Sequence, residues 1–139
     1  MSTETKGHHR VAWRRDDAVV HAEVNVEVAI GDGVAWSVVG LEVVPAPWRS
    51  GVQFGVELLR GALGSPDDVG VVVRVLDFRG LLGDTTETAA ACATFHAVAQ
   101  ALGADAGEFF ELDETTGEFR IGQGRPPRWV RSGRDVTTS

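Results

Sequence analysis

The sequence predicts an α+β two-layer sandwich whose elements follow the order β-β-α-β-α, with a C-terminal hairpin added. Alternating apolar residues before position 40, two stretches with helical spacing and a nearly continuous apolar run between them support this prediction. Helices that each bury one face on the same sheet favour a mostly antiparallel sheet with both helices on one side.

Length and composition predict one ordinary globular domain. The chain has 139 residues, of which 43% are hydrophobic and 24% are charged, so one hydrophobic core is expected. Residues 1 to 10 are polar and without periodicity, which predicts a flexible N-terminal segment. Residues 11 to 121 are expected to form the domain, and residues 122 to 139, rich in Arg, Gly and Pro, are expected to form a flexible tail.

The first two strands are predicted from an alternating pattern and a turn. From Ala18 to Ile30 every second residue is apolar, which is typical of a half-buried strand. Gly31-Asp32-Gly33 is a strong turn sequence, and a β-branched stretch from Val34 to Val39 follows it. We therefore expect these two strands to form an antiparallel hairpin.

The first helix is predicted after Pro45 and Pro47, which favour a helix start. The residues that recur at helical spacing are Val52, Val56, Leu59 and Leu63. Gly64 and Pro66 then end the helix. The apolar run from Val69 to Leu76 that follows predicts a central strand covered on at least one face.

The second helix is predicted from a capping sequence. In Asp84-Thr85-Thr86-Glu87 the capping residue Asp84 stands three positions before a Glu, and an Ala-rich stretch then runs to Leu102 and Gly103. Two short apolar stretches flank Glu114-Thr-Thr-Gly and predict the terminal hairpin. They are Phe109-Phe-Glu-Leu-Asp and Glu118-Phe-Arg-Ile.

Several kinds of chemistry lack their sequence signals. A phosphate-binding P-loop needs Gly-Lys-Ser or Gly-Lys-Thr, and the only lysine is Lys6. One cysteine and four histidines do not have zinc-ligand spacing, so we expect no metal and no cofactor. Cys92 and His96 lie one helical turn apart and could form a nucleophilic dyad, but without a third orienting group a packed thiol beside an imidazole is the simpler interpretation. No catalytic activity is therefore predicted.

The sequence also predicts where the protein works. Its apolar stretches are shorter than the roughly 18 residues that a membrane span needs. The N-terminus has no apolar core of a secretory signal. We therefore expect a cytoplasmic protein without membrane contact.

The charge is unevenly distributed along the chain, whose formal net charge is −7. Residues 1 to 119 contain eight Lys or Arg and nineteen Asp or Glu, whereas residues 120 to 139 contain five Arg and one Asp. An acidic body disfavours non-specific binding of nucleic acid, which leaves the basic tail as a candidate RNA contact or as a solubilising end. The candidate tail residues are Arg125, Arg128, Trp129, Arg131 and Arg134.

One segment carries a family resemblance. Residues 73 to 88 read Val-Arg-Val-Leu-Asp-Phe-Arg-Gly-Leu-Leu-Gly-Asp-Thr-Thr-Glu-Thr, which resembles the strand, tip loop and helix start of domain IV of translation elongation factor G. The likeness extends back through His21 to Val28, Gly31-Asp-Gly-Val and Pro47 to Ser65, and covers about residues 19 to 103. It implies the ribosomal protein S5 domain 2-like fold.

The resemblance also implies a binding partner. In elongation factor G and the similar ribosome protection proteins, this domain's tip reaches the decoding region of the small ribosomal subunit. The implied binding tip here consists of Arg79, Gly80, Leu81 and Leu82. Leu81 stands where translocating members have a histidine, and the family's Gln-Tyr-Gly element is absent, so a ribosome- or RNA-binding module that modulates translation is implied rather than a translocase. The acidic body and the apolar pair Leu81-Leu82 leave a second hypothesis open, a domain that binds another protein or a second copy of itself.

Overall fold

The computed structural model describes residues 3–15, 18–32, 35–64, 69–81, 85–113, 115–116 and 118–129. The strands in these ranges are β1 (Thr3–Arg15), β2 (Ala18–Asp32), β3 (Trp36–Val39), β4 (Val69–Arg79), β5 (Phe110–Asp113) and β6 (Glu118–Ile121). The helices are α1 (Ala46–Leu63) and α2 (Glu87–Leu102), and a short 3-10 helix covers Leu41–Val43. The protein is therefore α+β, with a mixed four-stranded sheet, two helices and a separate hairpin.

The four-stranded sheet has the order β1-β2-β4-β3. β2 pairs antiparallel with both β1 and β4, whereas β3 pairs parallel with β4. The predicted antiparallel hairpin between β2 and the stretch ending at Val39 is therefore wrong. β4 takes the position between them because its nearly continuous apolar sequence suits a central strand, and the crossover through α1 makes β3 parallel to it.

β1 corrects the prediction that residues 1 to 10 are flexible, since residues 3 to 10 lie in this strand and pair with β2. Its inward positions include Gly7 and His9 instead of large aliphatic residues, so its sequence lacks a clear apolar alternation. Gly7 is buried, and a Cβ atom added there would collide with the backbone oxygen of Ala97. The missing side chain therefore lets β1 lie directly against α2.

The core lies between one face of the sheet and the two helices. Its fully buried valines on the sheet include Val24, Val26, Val28, Val71 and Val73. The Ala-rich helix α2 is buried on most of its surface and contacts α1, β1 and β2. Cβ atoms at Gly51 and Gly55 of α1 would collide with the backbone oxygens of Glu87 and Ala91, so these two glycines serve close packing of the two helices.

Several predicted boundaries are confirmed. Gly64 and Gly103 end α1 and α2 with left-handed backbones, at φ of 64° and 72°. The terminal hairpin is also present as β5 and β6. Neither helix in the described ranges combines the length and the apolar character needed to cross a bilayer.

The start of α2 differs from the prediction. Thr86 is the capping residue, and its Oγ1 accepts a hydrogen bond from the backbone N–H of Ala89 at 3.0 Å. The predicted cap, Asp84, lies outside the described residues. Thr85 does not cap the helix because its hydroxyl hydrogen-bonds to the backbone of β2 instead.

Residues 122 to 129 fold back onto the domain, so the prediction of a flexible tail is wrong for this part of the chain. Asp105 and Arg128 exchange both of their backbone hydrogen bonds, each 2.9 Å long. Trp129 packs against the core, where it buries most of an aromatic ring. Trp129 follows a Gly- and Pro-rich stretch whose composition predicts a flexible tail, so the sequence did not indicate this contact.

Candidate functional site

The helices cover one face of the four-stranded sheet. The opposite face, here termed the open face, is charged on β1 and β2 and carries both arginines and the exposed side chains of Val39, Val72 and Leu76 on β3 and β4. Its exposed cations are Lys6, Arg10, Arg74 and Arg79. The tip, defined here as Arg79, Gly80 and Leu81, lies where β4 ends. Leu82, the fourth predicted tip residue, lies outside the described ranges. The open face and the tip together form the candidate site.

A β-bulge in β4 sets the direction of Arg79. Pairing between β4 and β2 is interrupted between Val75 and Asp77, which leaves Leu76 as the extra residue. Beyond the bulge Phe78 faces the core, with 7% of its surface exposed. Arg79 consequently points to the open face, where 71% of its side chain is exposed.

The charges of the open face form rows across the strands. Glu23 on β2 lies opposite Arg10 on β1 and opposite Arg79 on β4. A second row further along the strands contains Lys6, Glu27 and Arg74. Each carboxylate on the inner strand is therefore flanked by two cations, and the two positive strands stand roughly 10 Å apart.

The ion pairs on this face are loose. The guanidinium Nε of Arg74 is 4.0 Å from a carboxylate oxygen of Glu27, and that of Arg79 is 3.4 Å from one of Asp77. Exposed pairs of this length add little to stability, and both arginine side chains are more than half exposed. The guanidinium groups are therefore accessible to an anionic partner.

One contact on the open face is tighter. His8 Nε2 lies 2.6 Å from a carboxylate oxygen of Glu23. The hydrogen bond from His8 lowers the pKa of Glu23, with smaller contributions from the charges of His8, Arg79 and His21. Glu23 therefore remains ionised at neutral pH and holds the imidazole beside the tip.

The base of the tip is fixed by buried contacts. Thr85 is 8% exposed, its backbone N–H donates to the Leu81 carbonyl at 2.8 Å, and its Oγ1 accepts from the Leu81 N–H at 2.8 Å. The indole N–H of Trp48 donates to the Thr85 carbonyl at 3.0 Å, and the Trp48 ring stacks on Phe78. A Cβ atom at Gly80 would lie 3.0 Å from both rings, so a side chain here would force the two rings to shift. These contacts hold Leu81, which is 58% exposed, out in solvent.

Arg125, Arg128 and Trp129, the predicted tail residues that the structure describes, contact Asp105 or the core instead of the tip. Arg125 and Arg128 approach Asp105 at 3.6 and 3.5 Å. A backbone hydrogen bond from Gly107, assisted by these two arginines, lowers the pKa of Asp105. Trp129 is packed on the core, so its ring is not free to stack on a base. Arg131 and Arg134 lie outside the described residues.

The Cys92 and His96 pair does not have the properties of a nucleophilic dyad. Burial raises the pKa of the Cys92 thiol to about 12. Burial, with the nearby His9, lowers the pKa of His96 to about 4. An activated pair would show a lowered thiol pKa beside a cationic imidazole, so the packed structural interpretation fits these residues.

Sequence reasoning missed the cations of β1 and the orientation of β4. Lys6, His8 and Arg10 occupy every second position of the N-terminal segment, and this polar alternation is the signal that could have identified a strand with one solvated face. The bulge at Leu76 has no comparable signal in the sequence. Among the described residues, no group of three or more metal-ligating side chains is present.

The geometry defines a small α+β domain with rows of charged side chains on its open face and a fixed tip. No family model and no curated protein matches the chain. Among solved structures, the chain is similar to part of a Thermus thermophilus protein described as ttk003000868, with a TM-score of 0.51 and 11% sequence identity. The match covers 89% of this chain and 23% of that protein, so the likeness concerns the fold of about a quarter of the larger chain.

Proposed function

We propose that this chain is an RNA-binding module that contacts the ribosome through its tip and open face and has no GTPase activity of its own. The observation that carries the proposal is the tip, where Arg79 is 71% exposed on a loop base fixed by Thr85 and Trp48. A fixed backbone beneath the guanidinium avoids the additional cost of ordering a loop when the side chain binds a phosphate.

The open face extends this contact surface. Lys6, Arg10 and Arg74 lie on the same side of the sheet as Arg79, although the chain as a whole carries a formal net charge of −7. Acidic surface elsewhere would repel RNA and so restrict binding to this side. The flanking carboxylates would favour a partner whose phosphates are spaced to reach the outer strands.

The resemblance of residues 73 to 88 to domain IV of elongation factor G supplies the partner class. We propose the ribosomal protein S5 domain 2-like fold on the same basis, and the order of β2, α1, β4 and α2 agrees with it. Residues 1 to 139 contain no Gly-Lys-Ser or Gly-Lys-Thr, so the proposed contact through the tip and open face uses no nucleotide held by a P-loop of these residues. A cytoplasmic location follows from a ribosomal partner.

A second candidate function is binding of another protein through the tip. The observation that favours it is Leu81, whose side chain is 58% exposed beside Arg79. Leu81 would bury apolar surface against a protein partner, and Arg79 beside it would donate hydrogen bonds to carboxylates of that partner. In this case added RNA would not displace the protein partner from the tip.

Cosedimentation with small ribosomal subunits over a salt series tests the proposal. The variants are Arg79→Gln, which removes the tip cation, and Arg120→Gln, a matched loss of one exposed and loosely paired arginine on β6. We expect Arg79→Gln to weaken binding several-fold and to reduce the slope of log affinity against log salt by about one, because one phosphate contact is lost. Arg120→Gln should leave both quantities unchanged.

Absence of binding at low salt, or equal effects of the two variants, would contradict the proposal. A double change, Arg131→Gln with Arg134→Gln, tests the remaining tail arginines without disturbing the packed residues 122 to 129. Binding that survives Arg79→Gln but is lost in Leu81→Ala would favour the protein partner.

A further inference from the structure

The free edge of β3 is the feature that the proposed function does not use. β3 ends the sheet opposite β1, and its neighbour on the other side is β4. Edge strands present unpaired N–H and C=O groups, which proteins commonly protect with Pro, Lys or a bulge. The strand Trp36-Ser37-Val38-Val39 contains no Pro and no charged residue, and its pairing with β4 is regular.

The hydrogen-bonding direction of β3 follows from one contact. The backbone N–H of Val71 on β4 donates to the carbonyl of Ala35 at 3.0 Å. Because successive residues of a strand direct their backbone groups to alternate edges, Ser37 and Val39 also face β4. The N–H and C=O groups of Trp36 and Val38 therefore point outward, and none of these four groups has a backbone partner within the described ranges.

A groove of about 200 Å³ runs beside this edge, between β3 and α1. The charged residues of its helical wall are Glu57 and Arg60, both exposed and less than one helical turn apart. One acidic and one basic residue side by side on a helix are complementary to the same pair on a helix running the other way. The edge is thus complementary to itself both in hydrogen bonds and in charge.

We propose that two copies of this chain associate through the β3 edges about a two-fold axis, which joins the two sheets into one. In the register that satisfies all four outward groups, Trp36 of one copy pairs with Val38 of the other, and Ser37 lies opposite its own counterpart. The α1 helices then run antiparallel beside the axis, with Glu57 of each copy facing Arg60 of the other. This inference does not depend on RNA binding.

A cysteine placed at the axis tests the register. Ser37 is a non-hydrogen-bonded position in this pairing, where opposite Cα atoms stand about 4.5 Å apart, within the range that a disulfide spans. Ser37→Cys should therefore form a covalent dimer in air, detected on a non-reducing gel. The control is Ala12→Cys, an exposed position on β1, which should form no covalent dimer on the same gel. The native Cys92 is buried and should not interfere.

A charge swap tests the helical contact in chains without the new cysteine. Sedimentation equilibrium of the wild type should show a mass that rises with concentration to that of two chains. Arg60→Glu should raise the dissociation constant by about tenfold or more, because like charges would then face each other. The double variant Glu57→Arg with Arg60→Glu should restore the wild-type constant, and Lys6→Glu on the opposite edge should not change it.

A wild type that stays monomeric at submillimolar concentration would overturn the proposal. It would be overturned even if an added extended peptide were found to bind the β3 edge. A dimer that is unaffected by Arg60→Glu, or that crosslinks through Ala12→Cys and not through Ser37→Cys, would place the interface elsewhere and would also overturn it.

Discussion

The two edge strands of the sheet differ in how their outward backbone groups are covered. β1 is 13 residues long and lies against α2, and Gln100 of that helix accepts a hydrogen bond from the backbone N–H of His8 at 2.7 Å. β3 has 4 residues, and the outward backbone groups of Trp36 and Val38 face a groove instead of a helix. The comparison shows that a long edge strand can be protected by a side chain of a neighbouring helix, whereas the short one leaves its outward backbone groups available to another strand.

β1 can lie against α2 only because Gly7 has no side chain, and a substitution at this position gives the largest expected effect on stability. In Gly7→Ala the new Cβ would meet the backbone oxygen of Ala97, a group that cannot move without shifting α2. We expect the free energy of unfolding to fall by about 3 kcal/mol, as for an overpacked core. Urea denaturation followed by circular dichroism measures this. Gly31→Ala is the control, since no atom lies within 4 Å of its Cβ position, and an equal loss in both variants would show that β1 does not lie against α2.

The contact between β1 and α2 should also be sensitive to acid. His9 stacks on His96 with ring centroids 4.5 Å apart, and burial lowers the pKa of both. Since the pKa of His96 is near 6.5 when the chain is unfolded and about 4 when it is folded, the unfolded state binds its proton first and stability is lost as the pH falls through this window.

Thermal unfolding from pH 7 to pH 4.5 should show this loss in the wild type and a smaller one in His96→Phe, which keeps an aromatic ring at the position. Carboxylates such as Glu23 and Asp105, whose pKa values are lowered, contribute in both proteins and at lower pH. Identical pH profiles for the two proteins would contradict the assignment of the effect to His96.

The smallest expected effect concerns the hydrogen bond that closes the β1 edge. Gln100→Leu removes the acceptor for the His8 N–H, and we expect stability to fall by about 1 kcal/mol. Gln123→Leu, at an exposed position outside the helices and strands, should change stability by less than about 0.5 kcal/mol. Matched denaturation curves measure both, and a neutral Gln100→Leu would mean that water protects this edge equally well.

The elements predicted well are those whose sequence carries their structure locally. α1 and α2 end at the expected glycines, because a left-handed residue after a helix is a local requirement. β2 was predictable because its alternation is carried by valines. β1 was not, because the side chains it turns inward are chosen for contact with α2, and a glycine in that position leaves no apolar pattern.

The pairing of the strands was harder to predict from the sequence than the strands themselves. The turn sequence at residues 31 to 33 favours a hairpin, but β4 occupies the place beside β2. Of the candidate site, Arg79 and Leu81 were predicted from a family resemblance, whereas Lys6 and Arg10 join them only through the pairing of β1 with β2. Trp129 was predicted as a binding residue and instead packs against the core, a long-range contact that composition does not reveal.

The bulge at Leu76 reconciles an odd spacing of residues with the alternation of β4. Side chains of a regular strand alternate in direction, yet Val75 and Phe78, three positions apart, both face the core. Deleting Leu76 would leave Val75 followed directly by Asp77, so the ladder with β2 would become regular while Phe78 still faced the core and Arg79 the open face. Inserting one residue into β4 is expected to be more damaging, because it would exchange the inward and outward positions on one side of the insertion unless a second bulge formed.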